Sequence, residues 1–169
     1  NVDELKQILS ETKPSFLLSL GGPLIPKEAL INVEGYAINQ HAGLSPKYKG
    51  NYTTFWPLYH REILDIGSTV HITSTGADSG MILRTERVTL DKTDTPCSIF
   101  HKTVILGTEI MVGIVHDFIK NKTVESLIQQ PFEGRTYLTK EFTNSHKKFI
   151  YEDWKKSWYK REINKLIEL

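Results

Sequence analysis

The sequence has little cysteine, no large excess of charge and no long apolar run, and each scarcity excludes a class of protein. Cys97 is the single cysteine among 169 residues, so the chain cannot form an internal disulfide or a zinc site of several thiolates. Lys and Arg number 21 against 20 Asp and Glu, unlike a protein that binds a phosphate backbone. No uninterrupted apolar run approaches the roughly 20 residues of a membrane-spanning helix. We therefore expect neither a nucleic-acid nor a membrane partner.

The composition that remains is that of a globular domain. Hydrophobic residues make up 39% of the chain and charged residues 24%. The length suffices for one domain with a hydrophobic core and is too short for two ordinary ones.

The first half of the chain reads as alternating strands and short helices. Residues 16–20 form an apolar run of strand length that ends at a Gly-Gly-Pro turn, and 36–41 read as a second strand after a helical turn at 27–30. This order predicts an α/β fold with a buried, mostly parallel sheet flanked by helices. Since ligand-binding α/β domains usually have several strands before the active loop, we expect further amino-terminal strands that are absent from this chain.

The second half predicts two strands separated by a turn and two helices. The strands are expected at 68–73 and 81–88, around a glycine-flanked turn at 76–80. A long helix should begin near Pro96 and bury one face, with these positions: Ile99, Thr103, Leu106, Ile110, Ile114 and Phe118. A final amphipathic helix is expected over 144–169, which divides the chain into a catalytic core, 1–143, and this helix.

Asn39 and His41 are the first candidate site residues. In a strand, residues two apart project from the same face, and both lie at the carboxyl end, where open α/β sheets bind ligands. An amide N–H and an imidazole could together polarise a carbonyl oxygen and move a proton. The alternative is an ordinary polar strand end.

Asp78 is the third candidate, in the glycine-flanked turn. A carboxylate near His41 would favour the imidazolium and orient the ring, as in hydrolytic triads. The alternative is a hydrogen-bonded turn with Ser79 and Gly80, and sequence spacing alone does not show whether Asp78 contacts His41.

Three stretches resemble the folate-dependent formyltransferases. The run 39–50, Asn-Gln-His-Ala-Gly-Leu-Ser-Pro-Lys-Tyr-Lys-Gly, resembles the family signature that begins Asn-x-His. Residues 17–26 resemble the strand and loop that hold the pterin, and 67–83 resemble the segment that carries the required aspartate. The stretches follow the family order, within a resemblance that covers roughly residues 12–120.

The resemblance implies a reaction and a co-substrate. The donor would be 10-formyltetrahydrofolate and the acceptor a primary amine, with no metal. Asn39 and His41 would stabilise the tetrahedral oxyanion, and Asp78 would position His41 and assist proton removal from the amine. Lys49 and Gly50 are expected at the acceptor. The folate site would be formed by Leu20, Gly21, Gly22, Pro23, Leu24, Ile25, Thr75, Gly76 and Ala77.

The acceptor and the outcome of the reaction stay open. The short tail, which is not strongly basic, favours a small-molecule amine, including a nucleotide-linked amino sugar, over a transfer RNA. Hydrolysis of 10-formyltetrahydrofolate and a non-catalytic folate-binding or assembly module of the same fold are the alternatives. We expect a cytoplasmic location and a homodimer as a candidate assembly. Structural or surface roles are expected for the other histidines: His60, His71, His101, His116 and His146.

Overall fold

The computed structural model describes residues 2–121, 124, 128–130 and 134–167. In that part of the chain the elements follow in this order: α1 Val2–Thr12, β1 Phe16–Leu20, α2 Lys27–Leu30, β2 Tyr36–His41, β3 Tyr48–Gly50, α3 Phe55–His60, β4 Gly67–Ile72, β5 Ile82–Arg87, α4 Pro96–Asn121, β6 Arg135–Tyr137, α5 Asn144–Lys155 and α6 Trp158–Ile167. The predicted α/β class, with helices against a sheet, is confirmed.

The main sheet is mixed, and the expectation of a mostly parallel sheet is wrong for these strands. Its order is β1-β2-β4-β5; β1 and β2 are parallel, whereas β4 runs antiparallel to both β2 and β5. For the β4 and β5 pair, the physical reason lies in the 76–80 turn. A direct turn without a crossover helix can join only antiparallel neighbours. The β3 and β6 strands form a separate parallel pair.

Helix α4 covers one face of the sheet and builds its core. The predicted inner positions Ile99, Thr103, Ile110 and Ile114 are buried, and Leu106 and Phe118 are partly buried. The residues that pack together between helix and sheet are Ile38, Val70, Leu83, Ile110, Met111 and Ile114. This packing fixes which face of β2 is covered and which is left for the site.

Helix α4 also corrects the expectation about apolar segments. By length and composition alone it could cross a membrane, because its mean hydropathy reaches 1.4 over an 18-residue window. Core helices of other proteins pass the same test, and here the buried stripe of α4 lies on the sheet. The absence of a membrane partner stays a prediction.

The carboxyl-terminal segment folds onto a second apolar cluster. The predicted final helix is divided into α5 and α6, and Ser157 at the break has a left-handed φ of 61°. Ile150 and Ile163 pack with Trp56 and Leu58 of α3. The cluster therefore joins the tail to the segment that follows β3, and the division at residue 144 stays a prediction.

Candidate functional site

The alternation of β2 places the candidate residues on the face opposite α4. Ile38 packs in the core against α4, and the Gln40 Nε2 donates to the backbone carbonyl of Val104 in the same helix, at 2.6 Å. Asn39 and His41 must therefore project from the other face of the strand. The predicted sharing of a face is confirmed.

The 76–80 turn brings Asp78 to both of them. Asp78 Oδ2 lies 3.2 Å from His41 Nδ1, and Asp78 Oδ1 accepts from Asn39 Nδ2 at 3.3 Å. The backbone N–H of Gly50 donates to Asp78 Oδ2 at 2.8 Å. A carboxamide, an imidazole and a carboxylate thus converge at one place, although the sequence left their contact open.

His41 is enclosed and has an acceptor at each ring nitrogen. Its side chain is 6% exposed, and Nε2 donates to the Tyr48 carbonyl at 2.7 Å while Nδ1 faces Asp78. Burial lowers the pKa of His41, and the Asp78 carboxylate and the Tyr48 carbonyl oppose this shift without cancelling it. A Cβ at Gly43 would lie 2.6 Å from His41 Nε2, so the loop can approach the ring only as glycine.

His71 contacts two of the candidate residues, and its expected structural or surface role stays a prediction. It lies directly opposite Asn39 in the antiparallel pairing of β2 with β4. His71 Nδ1 donates to the Ile72 carbonyl at 2.8 Å, so Nε2 faces Asn39 Nδ2 and Asp78 Oδ1, each at 3.3 Å. The sequence offered one indication of this contact, because His71 lies in the 67–83 segment that also carries Asp78. Only the antiparallel register of β2 and β4 places His71 beside Asn39.

Ser19 orients the Asn39 carboxamide. Its hydroxyl donates to Asn39 Oδ1 at 2.9 Å, across the parallel pair β1 and β2. Since the oxygen of the carboxamide is held on that side, the amide nitrogen faces Asp78 and His71. Sequence reasoning missed this contact, because the polar residue of β1 has no distinctive pattern.

Asp78 is held as a carboxylate. Burial by itself raises the pKa of Asp78. The contacts of its carboxylate with the His71 ring, the nearby His41 and the Gly50 N–H outweigh burial, and the net shift is downward. Glycine is required at the donor, because Gly50 has φ 87° and a Cβ there would lie 2.3 Å from the Tyr137 carbonyl oxygen. The pairing of β3 with β6 thus contributes to the ionisation of Asp78.

The lowered pKa of Asp78 predicts a pH dependence of stability. A carboxyl group whose pKa falls on folding stabilises the protein fully above its unfolded pKa, and this contribution is lost as pH falls through the folded pKa. The difference in unfolding free energy between wild type and Asp78→Asn should therefore shrink below about pH 4. Urea unfolding from pH 7 to 3 measures it, and a difference that stays constant would contradict the assignment.

The predicted folate loops lie at the surface. Leu20 and Leu24 are 52% and 60% exposed, and the intervening Gly21, Gly22 and Pro23 are exposed as well. Thr75 and Gly76 are exposed beside the half-buried Ala77, in a turn where the Ser74 hydroxyl bonds Gly76 and Ser79. Both loops are accessible to a ligand, and their role in folate binding stays a prediction.

The two lysines that flank Tyr48 differ in their partners. Lys47 forms ion pairs with Glu62 at 2.8 Å and with Asp65 at 2.7 Å. Lys49 is half-buried, and its amino group makes no ion pair or hydrogen bond within the described residues. Its sequence neighbour Gly50 is the donor to Asp78, and the expected role of Lys49 at the acceptor stays a prediction.

Across residues 2–121, 124, 128–130 and 134–167, no three His, Cys, Asp or Glu side chains are arranged to hold a metal ion. The chemistry that the described site offers is that of hydrogen-bond donors around a carbonyl oxygen and of proton transfer. The expected absence of a metal in the reaction stays a prediction.

Comparison with known proteins supplies a family match. The formyl transferase family model matches residues 2–115. The chain is 28% identical over 167 residues to methionyl-tRNA formyltransferase of Clostridium novyi (strain NT). This alignment covers 98% of this chain and 50% of that protein. It is 29% identical over 105 residues to GDP-perosamine N-formyltransferase of Brucella melitensis biotype 1, covering 62% of this chain and 40% of the relative. The chain therefore spans half or less of the length of these two relatives.

Solved structures share the fold. A 4-N formyltransferase from Francisella tularensis matches with a TM-score of 0.70 and 19% identity, over 89% of this chain and 64% of that one. A formyltransferase from Anoxybacillus kamchatkensis matches with a TM-score of 0.66 and 22% identity, over 81% of this chain and 69% of that one. It was solved with UDP-4,6-dideoxy-4-formamido-L-AltNAc and tetrahydrofolate. The α/β architecture described above is thus shared with these proteins.

Proposed function

Because the chain belongs to the formyl transferase family, we propose that it transfers a formyl group from 10-formyltetrahydrofolate to the primary amine of a small molecule, a nucleotide-linked amino sugar. The observation that carries the proposal is the convergence of Asn39, His41 and Asp78 on the face of β2 opposite α4. Sequence matching alone would leave a non-catalytic module of the same fold as an alternative. An intact, hydrogen-bonded set of three catalytic groups favours turnover.

The three side chains match the steps of the transfer. The amine attacks the formyl carbon, and the carbonyl oxygen becomes an oxyanion that the Asn39 amide N–H groups stabilise. The amine loses a proton, the bond from the formyl carbon to N10 of the folate breaks, and N10 gains a proton. Asp78, held as a carboxylate, assists removal of the amine proton, and His41 beside it carries protons between the two nitrogens.

The position of His41 sets a condition on this mechanism. Both of its ring nitrogens are engaged, one by Asp78 and one by the Tyr48 carbonyl. A direct hydrogen bond from His41 Nε2 to the oxyanion therefore requires that its hydrogen bond to the Tyr48 carbonyl break when substrate binds. Asn39 can donate to the oxyanion without breaking the hydrogen bond to the Tyr48 carbonyl. Its amide nitrogen must first give up its contacts with Asp78 and His71.

The choice of acceptor is supported by the relatives and by one side chain. The Brucella relative is named for a nucleotide-linked amino sugar, and the Anoxybacillus structure holds a formylated sugar on UDP. Such an acceptor carries a diphosphate, and Lys49, the sequence neighbour of the Gly50 that contacts Asp78, offers a positive charge as its partner. Methionyl-tRNA, the acceptor in the name of the Clostridium relative, is the competing substrate.

The experiment is a panel of amines with the full protein and 10-formyltetrahydrofolate. The panel contains nucleotide-linked amino sugars, free amino sugars and methionyl-tRNA, and both tetrahydrofolate and formylated product are measured. The proposal expects one formylated sugar nucleotide for each tetrahydrofolate released. Release of formate without a formylated amine would identify a hydrolase, and formylation of methionyl-tRNA alone would replace the proposed acceptor.

Lys49→Met tests the contact to the acceptor. We expect its KM for the nucleotide-linked sugar to rise about tenfold, the loss of one charge-assisted contact, with the KM for the folate unchanged. Steady-state kinetics with each substrate varied in turn measures the split. Lys120→Met, an exposed lysine at the end of α4, is the control. Equal rises in both KM values would place Lys49 outside the acceptor site.

A further inference from the structure

The Asp78 turn is held from outside by Gln130, which lies beyond α4 in the chain. Gln130 Nε2 donates to the backbone carbonyl of Asp78 at 2.9 Å and to that of Gly80 at 2.6 Å. The two N–H groups of one amide thus bind the carbonyls on both sides of Ser79. Gln130 is 7% exposed and is not among the predicted site residues.

The turn needs such support, because its backbone is unfavourable for an unsupported loop. Asp78 has φ 47°, in the left-handed region that costs a non-glycine residue free energy. Gly80 approaches β4 so closely that a Cβ would lie 1.7 Å from the Ile72 carbonyl oxygen. The Ser74 hydroxyl ties the outer part of the turn to Gly76 and Ser79, and none of these contacts reaches the Asp78 or Gly80 carbonyl.

Gln130 is itself fixed to the sheet. The preceding Ile128 pairs with Ile82 at the start of β5, through backbone hydrogen bonds of 2.8 and 2.9 Å in both directions. On the other side, Gly134 lies against the Pro46 carbonyl just before β6, where a Cβ would be 1.9 Å from that oxygen. The backbone two residues before Gln130 is therefore tied to the start of β5.

We propose that Gln130 is a positioning residue that holds the Asp78 carboxylate against His41 and Asn39. A buried amide costs free energy unless its N–H groups are bonded, and here both bonds go to the turn that presents the carboxylate. Gln130 Oε1 has no partner within the described residues, so those two bonds are its polar contacts there. The expected effect of Gln130 on catalysis rests on the proposed function. Its expected effect on the position of the Asp78 carboxylate does not.

Two variants distinguish the hydrogen-bond donors of the Gln130 amide from the size and shape of its side chain. Gln130→Met keeps the length and removes both donors, whereas Gln130→Glu keeps the outline and sets a carboxylate against two carbonyl oxygens. Displacement of a catalytic group by about 1 Å can cost a hundredfold in rate. We expect each variant to lower kcat by about ten- to a hundredfold. Gln129→Met is the matched control, since Gln129 is exposed and its side chain makes no hydrogen bond to the described residues.

Imidazole NMR gives a second readout that needs no turnover. Asp78 is the charge that raises the pKa of His41 against burial, and the other groups facing the ring are the Tyr48 carbonyl and His71. If Gln130 holds Asp78, the pKa of His41 should fall further in Gln130→Met and stay at the wild-type value in Gln129→Met. Melting temperatures establish that each variant is folded. If Gln130→Met is not folded, the kcat of Gln130→Glu serves in its place, because the added carboxylate of that variant would itself raise the pKa of His41.

The outcomes distinguish the two proposals. A fall in kcat together with a lower pKa of His41 supports the positioning role. Wild-type kcat, or a lowered kcat with an unchanged titration of His41, overturns it and leaves Gln130 a structural residue. If the wild-type protein transfers no formyl group to any amine, the proposed function fails, and the titration alone decides whether Gln130 positions Asp78.

Discussion

The His41→Ala variant should lose formyl transfer almost completely while it still binds folate. We expect kcat to fall at least about a thousandfold, because the substitution removes both a proton carrier and a group that neutralises developing charge. The predicted folate loops, at 20–25 and 75–77, contain none of the three converging side chains, so the dissociation constant for tetrahydrofolate should change little. Turnover and fluorescence titration of the folate measure the two quantities.

Because His41 is buried, the alanine could also disturb its surroundings. The His41→Gln variant keeps much of the volume and a donor to the Tyr48 carbonyl, and it should be as inactive while it retains the wild-type melting temperature. His116→Ala removes a histidine that is 76% exposed on α4 and should behave as wild type. Substantial turnover in either His41 variant would remove this histidine from the mechanism.

Asp78→Asn should lower kcat by about a hundred- to ten-thousandfold. An amide in this place is neutral, so it neither accepts a proton from the attacking amine nor stabilises a protonated His41. It also offers an N–H group where Asn39 and Gly50 already donate, which breaks at least one of the hydrogen bonds that orient the site. Single-turnover measurements with saturating folate and amine isolate this effect on the chemical step.

The matched control is Asp117→Asn, an aspartate 52% exposed on α4. It should retain wild-type kcat. If Asp78→Asn keeps more than about a tenth of wild-type kcat, the carboxylate is a structural part of the turn and the proton leaves by another route.

Local sequence patterns predicted the strands and helices near the site and the shared face of two site residues. The strand period placed Asn39 and His41 on one face, and the helical spacing after Pro96 identified the buried stripe of α4. Both inferences depend on one element and its nearest partner, and such patterns are encoded in short stretches of sequence.

The contacts between distant elements could not be predicted in the same way. His71 meets Asn39 because β4 runs antiparallel to β2, and the expectation of a mostly parallel sheet concealed this pairing. The approach of Asp78 depends on a left-handed φ that its sequence does not require, and on the Gly50 N–H from another strand pair. The break at Ser157 was missed for a related reason, because apolar spacing continues across a residue whose left-handed backbone has no compositional signal.

The central claim is that the converging Asn39, His41 and Asp78 face the one-carbon unit of a bound folate. A crystal structure of the protein with 5-formyltetrahydrofolate, an unreactive isomer of the donor, tests it most directly. The account predicts N10 of the folate within about 4 Å of the Asn39 amide nitrogen, with the pterin held by the loops at 20–25 and 75–77. A folate bound elsewhere, with N10 remote from these side chains, would contradict it.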